Sequence, residues 1–202
     1  MNPTVAVALT GASGMPYGLR LVESLIRADA RVYLLYSQAA HVVAKQELDI
    51  VLPPRASEAE RMFGERYSAK RGQLRVFGRD DWFAPVASGS NPPDAMVICP
   101  CTVGTLAAVA AGLSDNLIER AADVTLKEGR KLILVPRETP FSSLHLENML
   151  KLSRAGAVIL PANPGFYHRP KRVEDLIDFV VARILDHLGV KHDLLDRWGE
   201  ER

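Results

Sequence analysis

The sequence has little cysteine, little net charge and no long apolar run, and each shortage excludes a class of protein. Cys99 and Cys101 are its two cysteines, and so small a number favours a reducing, cytoplasmic setting over a disulfide scaffold or a structural zinc site. The formal net charge of +1 gives no electrostatic reason to expect nucleic acid or an anionic membrane as a partner. No apolar run approaches the ~20 residues of a membrane-spanning helix. The N-terminus lacks the basic and apolar segments of an export signal, so we expect no export.

What the 202 residues do contain is an alternation of short apolar runs and amphipathic segments. The apolar runs predict strands at 5–9, 30–36, 74–77, 95–99, 131–135 and 157–160. Continuous apolar strands separated by helices are typical of a parallel sheet that is covered on both faces. We therefore predict an α/β fold with a single Rossmann-like (flavodoxin-like) doubly wound sheet in three α/β/α layers. One domain would span 1–202, with a C-terminal helix and tail at 172–202.

The most informative turn, Thr10-Gly11-Ala12-Ser13-Gly14, lies between the first predicted strand and a predicted helix. Its glycines allow close approach of the backbone, Ser13 adds a hydroxyl, and unpaired N–H groups at such a helix start can hold a phosphate. The turn lacks the G-x-G-x-x-G fingerprint of dinucleotide sites, and no acidic residue ends the next strand. A mononucleotide phosphate therefore fits better than NAD. The alternative is a structural turn that opens an ordinary α/β domain.

Ligands of such sheets bind beyond the carboxyl ends of the strands, so the segments that follow the strands are the candidate site. Besides the first turn, these segments are Ser37, Pro100–Gly104, Arg137-Glu138 and Pro161–Tyr167. The segment Pro100–Gly104 offers hydroxyl, thiol and N–H groups at a helix start. These groups suit a flavin or a phosphate, and they are equally consistent with a simple N-cap beside a buried thiol. Arg137 could bind phosphate bidentately and Glu138 could transfer a proton. The structural alternative is a helix capped by Thr139 with Pro140 in its first turn.

Several side chains elsewhere have the chemistry of an anion site. Arg120 and Lys127 are seven residues apart in a predicted helix, so they share a face and lie about 10 Å apart along the axis. This face suits an anionic substrate, although a solvated basic face has the same pattern. Trp82 and Ser88 belong to a Gly/Pro-rich loop, in which the indole either stabilises a cation or anchors the loop. Tyr167 lies in an aromatic and basic loop typical of a lid and could hydrogen-bond a phosphate.

Taken together, these segments resemble the UbiX/Pad-type flavin prenyltransferases nearly end to end. The motifs that carry the resemblance are Thr10–Gly14, Ala87–Ser90, Val97–Thr102, Glu119–Val124, Leu126–Glu128, Val135–Pro140 and Gly165–Pro170. Arg197-Trp198 is similar to the family's tail, whereas Met15-Pro16 and Gly129 depart from its pattern. The resemblance implies transfer of a dimethylallyl group from dimethylallyl monophosphate to reduced FMN, without a metal. It also implies a homododecamer with sites shared between subunits, and prenylated FMN as a product for UbiD-type decarboxylases of ubiquinone-precursor or aromatic acid metabolism.

The same resemblance implies roles for individual residues. FMN would be held by residues in the loops at one edge of the sheet: Gly11, Ala12, Ser13, Ser37, Ser88, Cys101, Thr102, Val103, Gly104 and Arg137. The prenyl phosphate would be held by Arg120, Lys127, Tyr167 and Arg183. The residues implied in catalysis are Ser13 as a proton relay, Glu47 near the flavin, Trp82 beside the developing allyl cation, Glu138 at the phosphate proton, and Arg120 and Lys127 at the departing phosphate.

Two other functions stay open. A cysteine-peptide or phosphopantothenoylcysteine decarboxylase of similar fold would carry an early catalytic histidine and a late Pro-Ala-Met-Asn segment, but Pro161–Pro164 reads Pro-Ala-Asn-Pro. An FMN-binding carrier subunit that serves a decarboxylase would need no second phosphate site. The cations Arg120, Lys127 and Arg183 therefore argue against a pure carrier.

Overall fold

The computed structural model describes residues 2–195, and the tail motif Arg197-Trp198 lies outside them. Six strands form one sheet in the order β3-β2-β1-β4-β5-β6, and every neighbouring pair is parallel. The strands are β1 (Thr4–Leu9), β2 (Arg31–Tyr36), β3 (Leu74–Val76), β4 (Ala95–Cys101), β5 (Lys131–Pro136) and β6 (Val158–Ile159). This order is that of the doubly wound Rossmann arrangement, so the predicted fold class is confirmed.

Helices cover both faces of the sheet. They are α1 (Met15–Arg27), α2 (Gln38–Leu48), α3 (Ala56–Tyr67), α4 (Val103–Ala111), α5 (Leu117–Lys127), α6 (Ser143–Arg154) and α7 (Val173–Leu188), with a short 3-10 turn at Pro85–Ala87. Within the described residues, none of these helices is long and apolar enough to cross a membrane.

Two hydrophobic cores lie on the two faces of the sheet. The first core contains Val5 and Val7 of β1 together with residues of α1, α2, α3 and α7. The second contains Ala6 and Ala8 of β1 together with residues of α4, α5 and α6. Successive strand residues point to opposite faces, so the apolar runs of the sequence bury side chains on both sides at once. The result is the predicted three-layer arrangement.

The helix starts follow local signals in the sequence, with one correction. Ser37 caps α2 as expected, because its hydroxyl accepts a hydrogen bond of 3.3 Å from the N–H of Ala40. The alternative in which Thr139 caps the next helix was wrong. Ser142 caps α6 instead, accepting from the N–H of His145, while the His145 ring accepts from the N–H of Ser142. This reciprocal pair fixes the helix start at Ser143.

The first helix lies unusually close to the sheet because it carries a glycine where the two surfaces meet. A Cβ on Gly18 would overlap with the carbonyl oxygen of Cys99 in β4 and with the side chain of Leu9 in β1. At this contact, α1 packs directly against β1 and β4. It thereby sets where the turn between β1 and α1 stands relative to the loop that follows β4.

Candidate active site

A cleft of about 560 Å³ lies beyond the carboxyl ends of the central strands. Neighbouring strands β1 and β4 form the point at which the strand order reverses, which is where sheets of this kind bind ligands. The cleft is lined by the end of β2, by residues that follow β1, β2, β3 and β4, and by the start of α5: Gly11, Leu35, Tyr36, Ser37, Gln38, Ala39, Val42, Phe77, Gly78, Arg79, Thr102, Thr105, Asn116, Leu117 and Ile118. Its volume is in the range of sites for small organic molecules and cofactors.

Three helices begin at the cleft, and each start is ordered by its own side chain. Ser37 caps α2, Thr102 caps α4 by accepting from the N–H of Thr105, and Asn116 caps α5. The side-chain oxygen of Asn116 accepts from the backbone N–H groups of Ile118 and Glu119, at 3.0 and 3.1 Å. Helix N-termini carry partial positive charge, so three of them around one cleft favour an anionic ligand.

Apolar side chains form the walls between these helix starts. Leu35, Phe77 and Leu117 line the cleft from three different segments. The backbone N–H of Leu117 donates to the carbonyl of Arg79 at 2.8 Å, which ties the loop after β3 to the start of α5 and closes that side. A slot with apolar walls and positively polarised helix ends fits a flat aromatic ring that carries a phosphate, as FMN does.

The turn after β1 differs from what its sequence suggested. The N–H groups of Gly14 and Met15 are not available to a phosphate, because the carboxylate of Glu47 accepts from both at 2.9–3.1 Å. That part of the expectation was wrong. The same contact brings the Glu47 carboxylate to Gly14, the residue that follows Ser13, and the Ser13 side chain is exposed. Burial raises the pKa of the neighbouring Tyr17 hydroxyl, and the negative charge of Glu47 raises it further.

Two of the predicted phosphate-binding cations meet the loop Ala87–Ser90, hereafter the Ser/Gly loop. The Nε of Arg120 donates to the carbonyl of Ala87 at 3.0 Å, and its Nη1 pairs with Asp123 at 2.9 Å. A Cβ on Gly89 would lie 2.7 Å from the Nζ of Lys127. Both cations therefore stand on the face of α5 that covers this loop, as their spacing predicted. The loop also holds Ser88, whose hydroxyl bonds to that of Ser90 at 2.9 Å.

The other predicted phosphate ligands lie elsewhere. Arg183 stands on α7, and that helix packs in the first core, whereas the helix of Arg120 packs in the second. The sheet therefore separates Arg183 from Arg120. Arg183 pairs with Asp186 at 2.8 Å, and the other oxygen of that carboxylate meets His192 at 3.2 Å. Tyr167 follows β6 and is 81% exposed.

Four further predicted residues, Cys101, Arg137, Glu138 and Trp82, do not line the cleft. Cys101 ends β4 with its side chain in the second core, and burial raises the pKa of its thiol to about 12. Arg137 follows β5 with an exposed side chain, and its backbone N–H meets the carbonyl of Cys101 at 3.4 Å. Glu138, beside it, is partly buried. Trp82 is 47% exposed, so its loop presents an aromatic surface rather than burying one.

The residues brought together at the cleft overlap only partly with the predicted set. Gly11, Ser37 and Thr102 line it, whereas Ala12, Val103 and Gly104 are adjacent in sequence to lining residues but do not line it. Sequence reasoning missed the walls made by Phe77, Arg79, Thr105 and Asn116. Of these, Asn116 had a detectable signal, because an asparagine directly before a helical apolar pattern is a typical N-cap.

Comparison with known proteins identifies the family. The fold is that of a flavoprotein, and the family model described as Flavoprotein matches residues 1–185. A flavin prenyltransferase UbiX from Pseudomonas aeruginosa is 60% identical over 98% of this chain and 94% of its own length. A crystal structure of AnUbiX (PadA1) in complex with FMN and dimethylallyl pyrophosphate is 39% identical, with a TM-score of 0.88 over 100% of both chains. The chain belongs to the UbiX flavin prenyltransferases.

One further solved structure bears on assembly. A dodecameric FMN-dependent UbiX-like decarboxylase from Escherichia coli O157:H7 is 38% identical to this chain. The match covers 98% of this chain and 100% of that one, with a TM-score of 0.85.

Proposed function

We propose that this protein transfers a dimethylallyl group from dimethylallyl monophosphate to reduced FMN, and that the prenylated FMN serves a UbiD-type decarboxylase. The observation that carries the proposal is the position of α5. Its start, at Asn116 and Leu117, lines the cleft, and its later turns present Arg120 and Lys127 to the Ser/Gly loop. One helix thus connects a slot for a flavin with a basic face for a second phosphate.

FMN fits the cleft by shape and by charge. Leu35, Phe77 and Leu117 would contact the ring, and the starts of α2 and α4, at Ser37 and Thr102, would attract the phosphate. Reduced FMN supplies the electron-rich ring atoms that accept the prenyl group. Ala12 and Gly104, which are adjacent in sequence to lining residues, would contact FMN through their backbone groups.

The basic face of α5 would serve the departing phosphate. When the allylic C–O bond breaks, its electron pair goes to the phosphate oxygen, and Arg120 and Lys127 would stabilise the added negative charge. Glu138 would deliver or accept the phosphate proton. Trp82 presents an exposed aromatic face that suits a developing allyl cation. Ser13, held beside Glu47, would relay a proton at the flavin.

We also propose that the complete donor site is shared between subunits of a homododecamer. Arg183 and Arg120 belong to helices on opposite faces of the sheet, which favours their meeting across an interface. The dodecameric relative from Escherichia coli supports the same assembly. Phe166 and Tyr167 on the loop after β6 are 68% and 81% exposed, and such aromatic surface is typical of a subunit contact.

The test uses the purified protein with reduced FMN and dimethylallyl monophosphate under strictly anaerobic conditions. We expect mass spectrometry to detect a flavin that is heavier by one five-carbon unit, and the product should activate an apo-decarboxylase of the UbiD type. Lys127→Met should slow product formation, whereas the matched control Lys151→Met, an exposed lysine on α6, should not. Unchanged FMN in the wild-type reaction would refute the proposal.

A second variant separates catalysis from binding. Glu138→Gln should lower turnover while FMN binding persists, because the side chain stays the same size and loses only its capacity to ionise. If the variant instead loses FMN, Glu138 has a structural role. A pure FMN carrier would bind FMN and form no adduct with either donor, monophosphate or diphosphate.

A further inference from the structure

The hydroxyl of Thr10 links the two loops that flank the cleft. It donates to the carbonyl oxygen of Pro100 at 2.7 Å and accepts from the backbone N–H of Thr102 at 2.9 Å. The backbone N–H of Thr10 also donates to the Pro100 carbonyl, at 3.2 Å. Three hydrogen bonds thus join the turn after β1 to the end of β4 and to Thr102, the residue that follows it.

These bonds stand where the sheet no longer holds the two segments together. The parallel pairing of β1 with β4 ends at Ala8 and Ile98. Beyond this pair, the hydrogen bonds of Thr10 hold the end of β4 and Thr102 against the turn after β1. Thr10 is 1% exposed, so water does not replace a bond that is lost there.

Both ends of the link are walls of the cleft. Gly11 follows Thr10 directly and packs so closely on α2 that a Cβ would overlap with Ala39. On the other side, Thr102 caps α4: its hydroxyl accepts from the N–H of Thr105 at 3.1 Å and bonds to the Thr105 hydroxyl at 2.9 Å. A hydrogen-bonded chain therefore runs from Thr10 through Thr102 to Thr105, and its last two members line the cleft.

We infer that Thr10 is a positioning residue for the flavin: its hydroxyl fixes the distance between the wall at Gly11 and the wall at Thr102. The inference rests on the proposed binding of FMN in this cleft. Thr10 itself does not line the cleft and acts through the two loops. Removal of the hydroxyl leaves the N–H of Thr102 without its acceptor, and the start of α4 is then free to move.

Two substitutions separate the hydroxyl from the shape of the side chain. Thr10→Val keeps the branched shape and removes the hydroxyl, whereas Thr10→Ser keeps the hydroxyl and removes a methyl group. Thr125→Val is a matched control, because Thr125 is also fully buried and its hydroxyl donates to the carbonyl of Ala121 within α5, away from the cleft. All three are compared with the wild type by FMN fluorescence titration and by steady-state kinetics.

We expect Thr10→Val to weaken FMN binding by about tenfold or more, as for a buried N–H that loses its partner. The KM for reduced FMN should rise, while the KM for dimethylallyl monophosphate stays within a factor of two. Thr10→Ser should restore FMN affinity to within about threefold of the wild type. Thr125→Val should lower thermal stability and leave FMN affinity unchanged.

Other outcomes overturn the inference. Thr10→Val with wild-type FMN affinity and lowered stability would show that the hydroxyl is only structural. Thr10→Ser as weak as Thr10→Val would show that the hydroxyl alone does not set FMN affinity. If Thr10→Val does not fold, Thr10→Ala replaces it with the same expectation. A wild-type protein that fails to bind FMN would refute the proposed function instead, so the two failures are distinguishable.

Discussion

Glu47→Gln tests whether a carboxylate from the end of α2 stabilises the start of α1. In the structure, Glu47 accepts from the N–H of Gly14 at 3.0 Å and from the N–H of Met15 at 2.9 Å. Hydrogen bonds to a charged group contribute about 1.5–3 kcal/mol, and an anion at a partly buried helix N-terminus contributes up to about 2 kcal/mol. The glutamine keeps one acceptor oxygen and loses the charge. We therefore predict a loss of about 1–2 kcal/mol in the free energy of unfolding.

Urea unfolding of the purified protein measures this loss as a lower midpoint at an unchanged slope. For a chain of 150–250 residues, each kcal/mol corresponds to about 2–4 °C in Tm. Glu147→Gln is the control, because Glu147 is an exposed carboxylate on α6 and surface substitutions of this kind stay within about 0.5 kcal/mol. Equal stability of the two variants would refute the capping role. A loss of turnover with unchanged stability would place Glu47 in the chemistry alone.

Three further predictions concern close packing and burial. Gly18→Ala should destabilise the fold by about 1–3 kcal/mol in urea unfolding, because the added Cβ meets the rigid carbonyl of Cys99. Gly89→Ala should leave stability nearly unchanged but raise the KM for the allylic donor, since the Cβ displaces the flexible ends of Glu128 and Lys127. The free energy of unfolding should fall as the pH rises from 9 toward 12, which urea titrations at successive pH values measure. Burial raises the pKa of the Cys101 thiol from 9.0 to about 12, so unfolding in this interval releases a proton.

The architecture was predictable because its signals are local. Each buried strand is a short apolar run, and α7 has the bounds that its periodicity predicted, Val173–Leu188. Parallel strands joined by helices allow few topologies, so the doubly wound sheet followed from the alternation alone. The cap at Ser37 was predictable for the same reason, because Ser37 directly precedes the helix that it caps.

The site was less predictable because its contacts join distant parts of the chain. The start of α1 has the sequence of a phosphate-binding turn, yet its N–H groups bond to Glu47, which is 33 residues away from Gly14. The wall made by Arg79 and Leu117 needs the loop after β3 to meet the start of α5, and nothing near either residue indicates that contact. The family resemblance supplied the candidate residues, whereas their division between two faces of the sheet needed coordinates.

That division has a consequence for how the enzyme would respond to dilution. The residues that line the cleft come from one chain, so the proposal predicts a flavin affinity that does not depend on protein concentration. If Arg183 of one subunit acts with Arg120 of another, as proposed, the donor site exists only in the assembly, because the sheet of a single chain stands between α7 and α5. Specific activity would then fall on dilution while flavin occupancy per chain stays constant, as mass action demands of a site that exists only in the assembly.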